Sequence, residues 1–301
     1  MHRGESMDIS ASSHSGLFPT SIEPDGIRLP ARRKDSHKYD YGRTLIIAGS
    51  VGYTGAPCLA ANAAERSGAG LVTLAVPSAI YSIAAIKADG AVVRPLPGDA
   101  DGRLSSAALD VLLPLAEKAD ACLIGPGLGQ SGGITDLLDA LLGSMSCPLV
   151  LDADGINTVS SHIDWLDRYR GTAILTPHEG EFARLIRSPI TDRTAQARSF
   201  SAEHGCITVL KGSGTIIAAP DGRCYINGTG GPALAKGGSG DVLAGILTAL
   251  LGQGMEPVRA ACTAVWLHGR SGDMAADRLS EYCVTPGDVI SFLPEAFKEL
   301  C

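Results

Sequence analysis

The segment that decides the fold is NGTGGPALAKGGSGDVLAGILTALLGQG, residues 227–254, in which a glycine-rich loop leads into an apolar helix. Seven glycines fall between Gly228 and Gly245, and the helix is predicted to begin near Asp241. The first turn of a helix has N–H groups without backbone partners, and the helix dipole adds positive potential there. A glycine loop at this position therefore predicts a site for a phosphate or another anion.

Three glycines of the loop, Gly237, Gly238 and Gly240, allow a phosphoryl group to approach the backbone closely, and Lys236 is expected to add a point charge. The loop is not a Walker A sequence, because Ala235 stands where that motif requires glycine. It also lacks the GxGxxG pattern of dinucleotide-binding dehydrogenases. The predicted anion site therefore belongs to neither of these nucleotide-binding motifs.

Asp241 has two interpretations, and the residues alone leave both open. In the first, the acid complements the helix dipole, as acids in a first turn commonly do. In the second, it takes the proton of a substrate hydroxyl as that oxygen attacks phosphorus. The helix terminus is expected to depress the pKa of Asp241 and make it a weak base. The neighbouring glycines favour the second interpretation, a phosphoryl transfer with Asp241 as the catalytic base.

Hydrophobic patterning in the rest of the chain predicts an α/β fold. Six short apolar runs are mostly continuous rather than alternating, which is typical of strands buried on both faces of a parallel sheet. Two further β runs flank a Pro-Asp-Gly turn and predict a hairpin. The predicted strands are 44–50, 71–77, 121–127, 148–154, 172–177 and 207–212, the hairpin is 215–226, and the predicted helices are 56–70, 104–119, 134–143, 181–186, 194–205, 241–251, 257–277 and 286–300. The pattern predicts one three-layer α/β/α domain, residues 29–301, with a central, mostly parallel sheet, after a flexible leader, residues 1–28.

Composition narrows the class of protein. The chain has 301 residues, is 45% hydrophobic and carries a formal net charge of -7, which argues against general binding to nucleic acid. Its eight cysteines form no CxxC pair, so neither a zinc site nor a disulfide framework is predicted, and a reducing compartment is favoured. The apolar run 242–251 is too short to cross a bilayer, and residues 1–16 lack the apolar core of a signal peptide. We therefore expect a cytoplasmic enzyme.

Six segments of the chain together resemble the ADP/ATP-dependent NAD(P)H-hydrate dehydratases of the ribokinase-like superfamily. They are SHKYDYGRTLIIAGSVGYTGAPCLAANAAERSGAGLVTLAVP (36–77), GPGLG (125–129), LDADGIN (151–157), TPHEGEFARL (176–185), VLKGSGTII (209–217) and NGTGGPALAKGGSGDVLAGI (227–246). They occur in the family's order and span nearly all of the chain after Leu29. Tyr39 stands where the family usually has glycine, which predicts an altered backbone near the entrance of the site.

The resemblance implies a net dehydration that begins as a phosphoryl transfer. The family restores the hydrated cofactor (S)-NAD(P)HX to NAD(P)H: ADP or ATP, with Mg²⁺, phosphorylates the ring hydroxyl, and the ring nitrogen then expels phosphate. ADP is the expected donor here. The resemblance further implies a stand-alone dehydratase, with NAD(P)H-hydrate epimerase as a functional partner, and a homo-oligomer, with a tetramer favoured.

The resemblance also assigns roles to matching residues. Asp241 is the base and contacts the hydrated cofactor together with Ala56, Gly129 and His178. The nucleotide contacts are Lys211, Gly212, Ser213, Gly214, Thr215 and Gly240, and the anion hole consists of Gly238, Ser239 and Gly240. The residues alone leave other interpretations open, such as a structural His178, a simple turn at GPGLG and an ordinary hairpin entry at 211–215. A role in organising water or Mg²⁺ is one hypothesis for four polar residues at strand ends or helix starts, Asp152, Asp154, Asn157 and Glu181. For Asp154 and Asn157 the alternative is a helix cap.

Two other functions stay open at this stage. A different ribokinase-like kinase, such as one acting on a thiamin-precursor alcohol, would share Asp241 and release a stable phosphate ester. The HEGE and KGSGT segments favour the dehydratase over this alternative. A non-catalytic nucleotide-binding protein of the same fold is the second alternative, and the intact Asp241 within GGSGD argues against it.

Overall fold

A ten-stranded sheet forms the centre of the computed structural model, which describes residues 19–301. Its strand order is β1-β10-β9-β8-β7-β6-β5-β2-β3-β4. Only β9 runs antiparallel to its neighbours, β8 and β10, so the mostly parallel sheet and the predicted hairpin are both confirmed. The strands are β1 (Thr20–Ser21), β2 (Arg43–Ile47), β3 (Leu71–Pro77), β4 (Val92–Leu96), β5 (Ala121–Ile124), β6 (Leu149–Leu151), β7 (Ala173–Leu175), β8 (Ile207–Leu210), β9 (Ile216–Ala218) and β10 (Cys224–Ile226).

Helices cover both faces of the sheet, which gives the predicted three layers. One face carries α1, α2, α9, α10 and α11, and the other carries α3 to α8. The helices are α1 (Gly55–Arg66), α2 (Tyr81–Lys87), α3 (Leu109–Glu117), α4 (Gly132–Ser144), α5 (Asp154–Ser160), α6 (Asp164–Arg168), α7 (Glu179–Leu185), α8 (Arg193–His204), α9 (Ser239–Gly252), α10 (Pro257–Leu279) and α11 (Pro286–Lys298). No helix within 19–301 combines the length and apolar character needed to cross a membrane.

Alternation along each strand divides the core into two parts. In β2, Ile46 packs into the cluster beneath α1 and α9, while Leu45 and Ile47 pack into the cluster beneath α4 and α7. Successive side chains of a strand point to opposite faces, so a continuous apolar run fills both clusters. The continuous runs seen in the sequence are therefore the physical consequence of a sheet covered on both sides.

The carboxyl ends of the parallel strands define one edge of the sheet, and the predicted site segments follow those ends. SVGYTGA follows β2, GPGLG follows β5, and TPHEGE continues from β7. Because β9 is antiparallel, the chain leaves β8 and re-enters β9 at this same edge, and β10 then brings residues 227–230 back to it. Reversal of a single strand thus places two glycine-rich loops side by side.

The predicted leader, residues 1–28, divides into two parts. Residues 1–18 lie outside the described residues, so the prediction of a flexible leader stays a prediction there. Within 19–28, Thr20 and Ser21 pair with β10, and the Ile27 side chain is 5% exposed within the core. The described part of the segment therefore packs on the domain.

Tyr39 does not lie near the entrance of the site, and the expectation from the sequence was wrong on this point. It belongs to a short 3-10 helix, Lys38–Tyr41, that precedes β2, and the following Gly42 packs against Gly252 at the end of α9. Asp241 lies in the first turn of α9, about 17 Å along the helix axis from Gly252. Tyr39 therefore lies at the amino edge of the strands, opposite the glycine-rich loops.

Candidate active site

The turn into α9 depends on a glycine in the left-handed region. Gly238 has φ 96° and is the last residue before the helix, which begins at Ser239. A Cβ on Gly238 would lie 2.7 Å from Leu59 Cδ1 and 2.9 Å from Pro286 Cγ. Neither the backbone angle nor the space admits a larger residue, so glycine is required for the helix to begin at this point.

Amide groups at the start of α9 face outward without partners in the protein. Ser239 N–H donates to Lys236 O at 3.3 Å, and Val242 N–H donates to Gly238 O at 3.2 Å. Within the described chain, the N–H groups of Gly240 and Asp241 donate no hydrogen bond. Unpartnered amides at a helix N-terminus suit an anion, which agrees with the kind of site that the loop predicts.

Lys236 does not add a charge to this anion site, contrary to the expectation from the sequence. Its Nζ donates to the carbonyl oxygens of Tyr282 and Val284, at 2.7 and 2.5 Å. These contacts direct the ammonium group toward the segment before α11. Lys236 therefore links the glycine-rich loop to the segment that precedes α11.

Lys211 is the cation that lies under the glycine loop. A Cβ placed on Gly240 would lie 3.1 Å from Lys211 Nζ, so the ammonium group sits directly behind the loop. Nζ donates to Asp152 Oδ1 at 2.7 Å, and Thr176 Oγ1 donates to the same oxygen at 2.7 Å. The Asp152 side chain is 2% exposed, and a carboxylate so deeply buried requires such partners.

The pKa of Asp241 is raised, and the sequence-based expectation of a depressed pKa was wrong. Burial raises the pKa of Asp241 to about 7, the Asp152 carboxylate adds to the rise, and Lys211 opposes it. Desolvation and a neighbouring like charge outweigh the helix terminus. Asp241 is therefore a stronger base than a surface carboxylate and is partly ionised near neutral pH.

Three carboxylates surround the Lys211 ammonium group and keep it charged. Burial acts to lower the pKa of Lys211, but the charges of Asp152, Glu181 and Asp241 raise it above its ordinary value. Asp152 and Lys211 directly follow β6 and β8, whereas Glu181 and Asp241 lie in the first turns of α7 and α9. They form a buried charged cluster behind the anion site, which we call the Lys211 cluster.

His178 caps a helix with one ring nitrogen, Nδ1, and its other ring nitrogen, Nε2, lies 3.5 Å from Glu181 Oε1. Nδ1 accepts from the N–H groups of Gly180 and Glu181 at 3.0 and 3.3 Å, and Glu181 Oε2 accepts from His178 N–H at 2.8 Å. This reciprocal capping box fixes the start of α7. His178 therefore has a structural role, which its Nδ1 performs as the cap of α7. In the neutral ring the proton then resides on Nε2, and the side chain is 58% exposed.

The GPGLG turn is held by its neighbours on the carboxyl edge. Gly129 N–H donates to Asp154 Oδ2 at 2.8 Å, so Asp154 both opens α5 and supports the turn. Ala56, near the start of α1, lies beside Gly127, where a Cβ would be 3.4 Å from that of Ala56. The first turn of α1, which contains Ala56, thus lies beside the turn that contains Gly129.

Residues 211–215 form the β8–β9 loop, which turns on glycine. Gly212 and Gly214 have φ 154° and 63°, and Thr215 Oγ1 donates to Gly212 O at 3.1 Å. The loop begins with Lys211, whose side chain reaches under Gly240. The predicted nucleotide-contacting residues of the two loops are therefore neighbours in space.

His268 is a residue near the site that sequence reasoning missed. It lies in α10 with 9% exposure, and its Nε2 has no hydrogen-bond partner within the described chain. Burial lowers the pKa of His268 to about 4, partly offset by the backbone of Ser239. In the sequence, His268 has no second histidine at the spacing of a metal-ligand pair, so nothing singled it out. Its neutral ring packs behind the turn that opens α9.

Mg²⁺ fits this site as an ion held mainly by phosphates and water. Within residues 19–301 there is no group of three His, Cys, Asp or Glu side chains able to hold a metal ion. Asp152 Oδ2 accepts no hydrogen bond from the described residues, and Glu181 lies in the same cluster. Mg²⁺ commonly takes one or two carboxylates, nucleotide phosphates and water rather than a full protein cage.

The chain is similar to known proteins over most of its length. The chain is 42% identical over 277 residues to the bifunctional NAD(P)H-hydrate repair enzyme of Moorella thermoacetica, covering 91% of this chain and 52% of that protein. It is 37% identical to the ADP-dependent (S)-NAD(P)H-hydrate dehydratase of Neisseria meningitidis serogroup B, covering 88% of each chain. The chain therefore spans about half the length of the bifunctional curated relatives that it matches.

A solved structure confirms the predicted ribokinase-like fold. The ADP/ATP-dependent NAD(P)H-hydrate dehydratase of Bacillus subtilis, co-crystallised with ATP and Mg²⁺, superposes with a TM-score of 0.82 at 30% identity, covering 95% of this chain and all of that one. The sequence profile of one carbohydrate-kinase-like family, described as NAD(P)H-hydrate dehydratase, matches residues 44–295. This chain belongs to the NAD(P)H-hydrate dehydratase family.

Proposed function

We propose that this chain catalyses the ADP-dependent dehydration of (S)-NAD(P)HX to NAD(P)H. The observation that carries the proposal is Asp241, a carboxylate with a pKa of about 7 in the first turn of α9, beside unpartnered amides. An acid poised near neutrality beside an anion site suits the transfer of a phosphoryl group to a hydroxyl. Family membership supplies the substrate and the donor.

In the first step, Asp241 accepts the proton of the ring hydroxyl as its oxygen attacks the terminal phosphorus of ADP. A phosphorus–oxygen bond forms to the substrate, the bond to the leaving phosphate breaks, and AMP departs. The free amides of Gly238 and Gly240 stabilise the charge on the migrating phosphoryl group, and Ser239, whose N–H donates to Lys236 O, completes the same turn. The Lys211 ammonium group, fixed by Asp152, adds positive charge beneath the same loop.

In the second step, the ring nitrogen of the phosphorylated intermediate uses its lone pair to break the carbon–oxygen bond. Inorganic phosphate leaves with the bonding electrons, and the neighbouring ring carbon loses a proton to restore the dihydronicotinamide double bond. Phosphate is a far better leaving group than hydroxide. The nucleotide is thus consumed to make the hydroxyl expellable, which explains a kinase fold in a net dehydration.

The remaining roles follow as proposals from position on the carboxyl edge. Ala56, Gly129 and His178 contact the hydrated cofactor, and the His178 side chain, whose Nδ1 serves as the helix cap, is 58% exposed for this contact. The β8–β9 loop and Gly240 contact the nucleotide. Mg²⁺, bound with the nucleotide, supplies neutralisation of phosphate charge next to Asp152 and Glu181.

The direct test is recovery of NADH absorbance from hydrated NADH with ADP or ATP and Mg²⁺. We expect recovery with the wild-type chain and none with Asp241→Asn, while calorimetry shows nucleotide binding largely retained by the variant. Asp221→Asn is the matched control, because Asp221 lies in the hairpin turn and pairs with Arg223. A stable phosphate ester without recovered absorbance would instead identify another small-molecule kinase. Binding without turnover of either kind would indicate a non-catalytic protein.

We further propose a homo-oligomer, with a tetramer as the expected form. The edge strand β4 and the adjacent α2 expose apolar side chains, with Val92 38%, Ile83 43% and Ile86 81% exposed. An uncovered edge strand with apolar neighbours suits pairing with a second copy. Light scattering on the purified chain tests this, and a monomer at micromolar concentration would refute it.

We propose a cytoplasmic location with NAD(P)H-hydrate epimerase as a functional partner. All eight cysteines are unpaired, which suits a reducing compartment. The bifunctional relatives carry the name of a repair enzyme, and the epimerase would supply the (S) epimer from the mixture of hydrates. Cell fractionation tests the location. Coupled assays with racemic hydrate, with and without the epimerase, test the partnership.

A further inference from the structure

Arg193, the first residue of α8, contacts one side of the β8–β9 loop through both terminal nitrogens of its guanidinium group. Nη1 donates to Ser213 O at 2.8 Å and lies 3.4 Å from Gly214 O. Nη2 lies 3.4 and 3.5 Å from the carbonyl oxygens of Leu210 and Lys211. Four backbone carbonyls thus surround one guanidinium group, with one short and three longer contacts. The planar arrangement of the guanidinium donors allows a single side chain to make all four.

The close approach of Arg193 depends on Gly212. The φ angle of Gly212 is 154°, and a Cβ there would lie 2.6 Å from Arg193 Nη2. A side chain at this position would displace the guanidinium group from the loop. The glycine pattern of KGSGT is thus explained in part by the packing of an arginine from another element.

Because Arg193 binds the carbonyl groups on one side of the β8–β9 loop, the N–H groups of the same peptides point to the opposite side. In a planar trans peptide the N–H of the next residue points opposite to the carbonyl. Contacts from Arg193 to the carbonyls of Lys211, Ser213 and Gly214 therefore direct the N–H groups of Gly212, Gly214 and Thr215 away from it. Those three N–H groups donate no hydrogen bond within residues 19–301. A concave row of free amides is an anion-binding surface.

Arg193 also connects this loop to the start of α7. Its Nε lies 3.2 Å from Glu179 Oε1, although the direction of the N–H leaves the contact an ion pair without a hydrogen bond. Glu179 follows His178, the capping residue of α7. The loop proposed for the nucleotide and the helix proposed for the hydrated cofactor are thus fixed to one side chain.

We infer that Arg193 is a positioning residue for nucleotide binding: it holds the β8–β9 loop so that its free amides face the phosphates. It does not itself contact the nucleotide, because its guanidinium lies on the carbonyl side of the loop. The identity of the ligand rests on the proposed function, whereas the arrangement of loop and arginine does not.

The test measures ADP binding by calorimetry in the presence of Mg²⁺, followed by steady-state kinetics. Arg193→Ala is expected to raise the Kd and KM for ADP at least ~10-fold, because several carbonyl contacts are lost together. Arg193→Lys is expected to recover only part of that loss, since an ammonium group cannot fork. The KM for hydrated NADH should change less than ~2-fold. Arg223→Ala, which removes an ion-paired arginine of the β9–β10 hairpin, is the control and should leave the Kd for ADP unchanged.

Glu179→Gln provides a milder variant if the alanine variant fails to fold. It keeps every carbonyl contact and weakens only the ion pair, so an intermediate rise in the Kd for ADP supports the inference. An unchanged Kd for ADP in the folded Arg193→Ala and Arg193→Lys variants, with only a lower melting temperature, would overturn it. A wild-type chain that binds ADP without dehydrating NADHX would refute the proposed function and leave this inference to be judged on binding alone.

Discussion

Replacing Asp241 by asparagine should make the folded protein more stable, by an amount that grows with pH. The pKa of Asp241 rises on folding from 3.8 to about 7, so the folded state holds this proton more tightly than the unfolded chain. The stabilisation from that proton is complete below pH 3.8 and is lost as pH rises through about 7. Asparagine is neutral at every pH and avoids the loss.

The magnitude follows from the size of the shift. About three pH units correspond to ~4 kcal/mol against the ionised form at pH 8. At pH 5 only a little over one unit of that penalty has developed, or ~2 kcal/mol. The advantage of Asp241→Asn over wild type should therefore increase by ~2–3 kcal/mol between pH 5 and pH 8. This is a large share of the stability of an ordinary domain, ~5–15 kcal/mol.

Urea unfolding at the two pH values measures the effect, with the free energy of unfolding of each protein compared at each pH. Subtracting the free energy of unfolding of wild type from that of the variant removes the contribution of the other titrating groups. A difference in packing between asparagine and a protonated aspartate is the same at both pH values, so it does not affect the change with pH. Asp221→Asn serves again as the control, and its difference should stay constant with pH. A pH-independent difference for Asp241→Asn would show that the folded environment does not raise the pKa of this acid.

Three further predictions concern the same region. Below about pH 7, kcat/KM for hydrated NADH should fall about tenfold per pH unit as Asp241 is protonated. Asp152→Asn should move this acidic limb of the pH profile to lower pH, because it removes a negative charge beside Asp241. An acidic limb that stays in place in Asp152→Asn would contradict the role of Asp241 as the base. Gly238→Ala should lower kcat by ~100-fold or more, because strain at φ 96° displaces the amides that would bind the phosphoryl group. The rate of phosphoryl transfer in a single turnover measures this loss, and a wild-type rate would argue against the anion hole. Lys211→Met should cost ~3–5 kcal/mol by leaving the buried Asp152 carboxylate without its cation, and urea unfolding should show partial recovery in the double variant with Asp152→Asn.

Most of the sheet could be predicted from the sequence because buried parallel strands are continuous apolar runs. The strands β3 and β5 to β8 lie within the predicted segments, and β2 begins one residue before its predicted segment, at Arg43. β4 (Val92–Leu96) escaped because it is a largely exposed edge strand that contains Pro95, which is typical of a loop. β1 (Thr20–Ser21) has only two residues, and its pairing with β10 depends on a segment some 200 residues away in the chain.

The chemistry of the candidate site was predicted in part. The glycine loop located the start of α9 and its acid, since both signals are local. The pKa of Asp241 was predicted in the wrong direction, because its burial and the approach of Asp152 depend on the tertiary fold. The direction of Lys236 and the distance of Tyr39 from the site depend likewise on long-range packing.

The burial of α9 bears on how an enzyme of this architecture acquires new substrates. Every residue from Val242 to Gly252 is buried, and Gly245 approaches the backbone of α1 so closely that a Cβ would lie 2.2 Å from Ala60 O. The position of Asp241 at the start of α9 is thus fixed by the packing of the whole helix, and a change in the tilt of α9 would disrupt the core. Residues Val51, Gly52, Tyr53 and Gln130 are exposed in the neighbouring loops after β2 and β5, so changes of specificity are better introduced there than in α9.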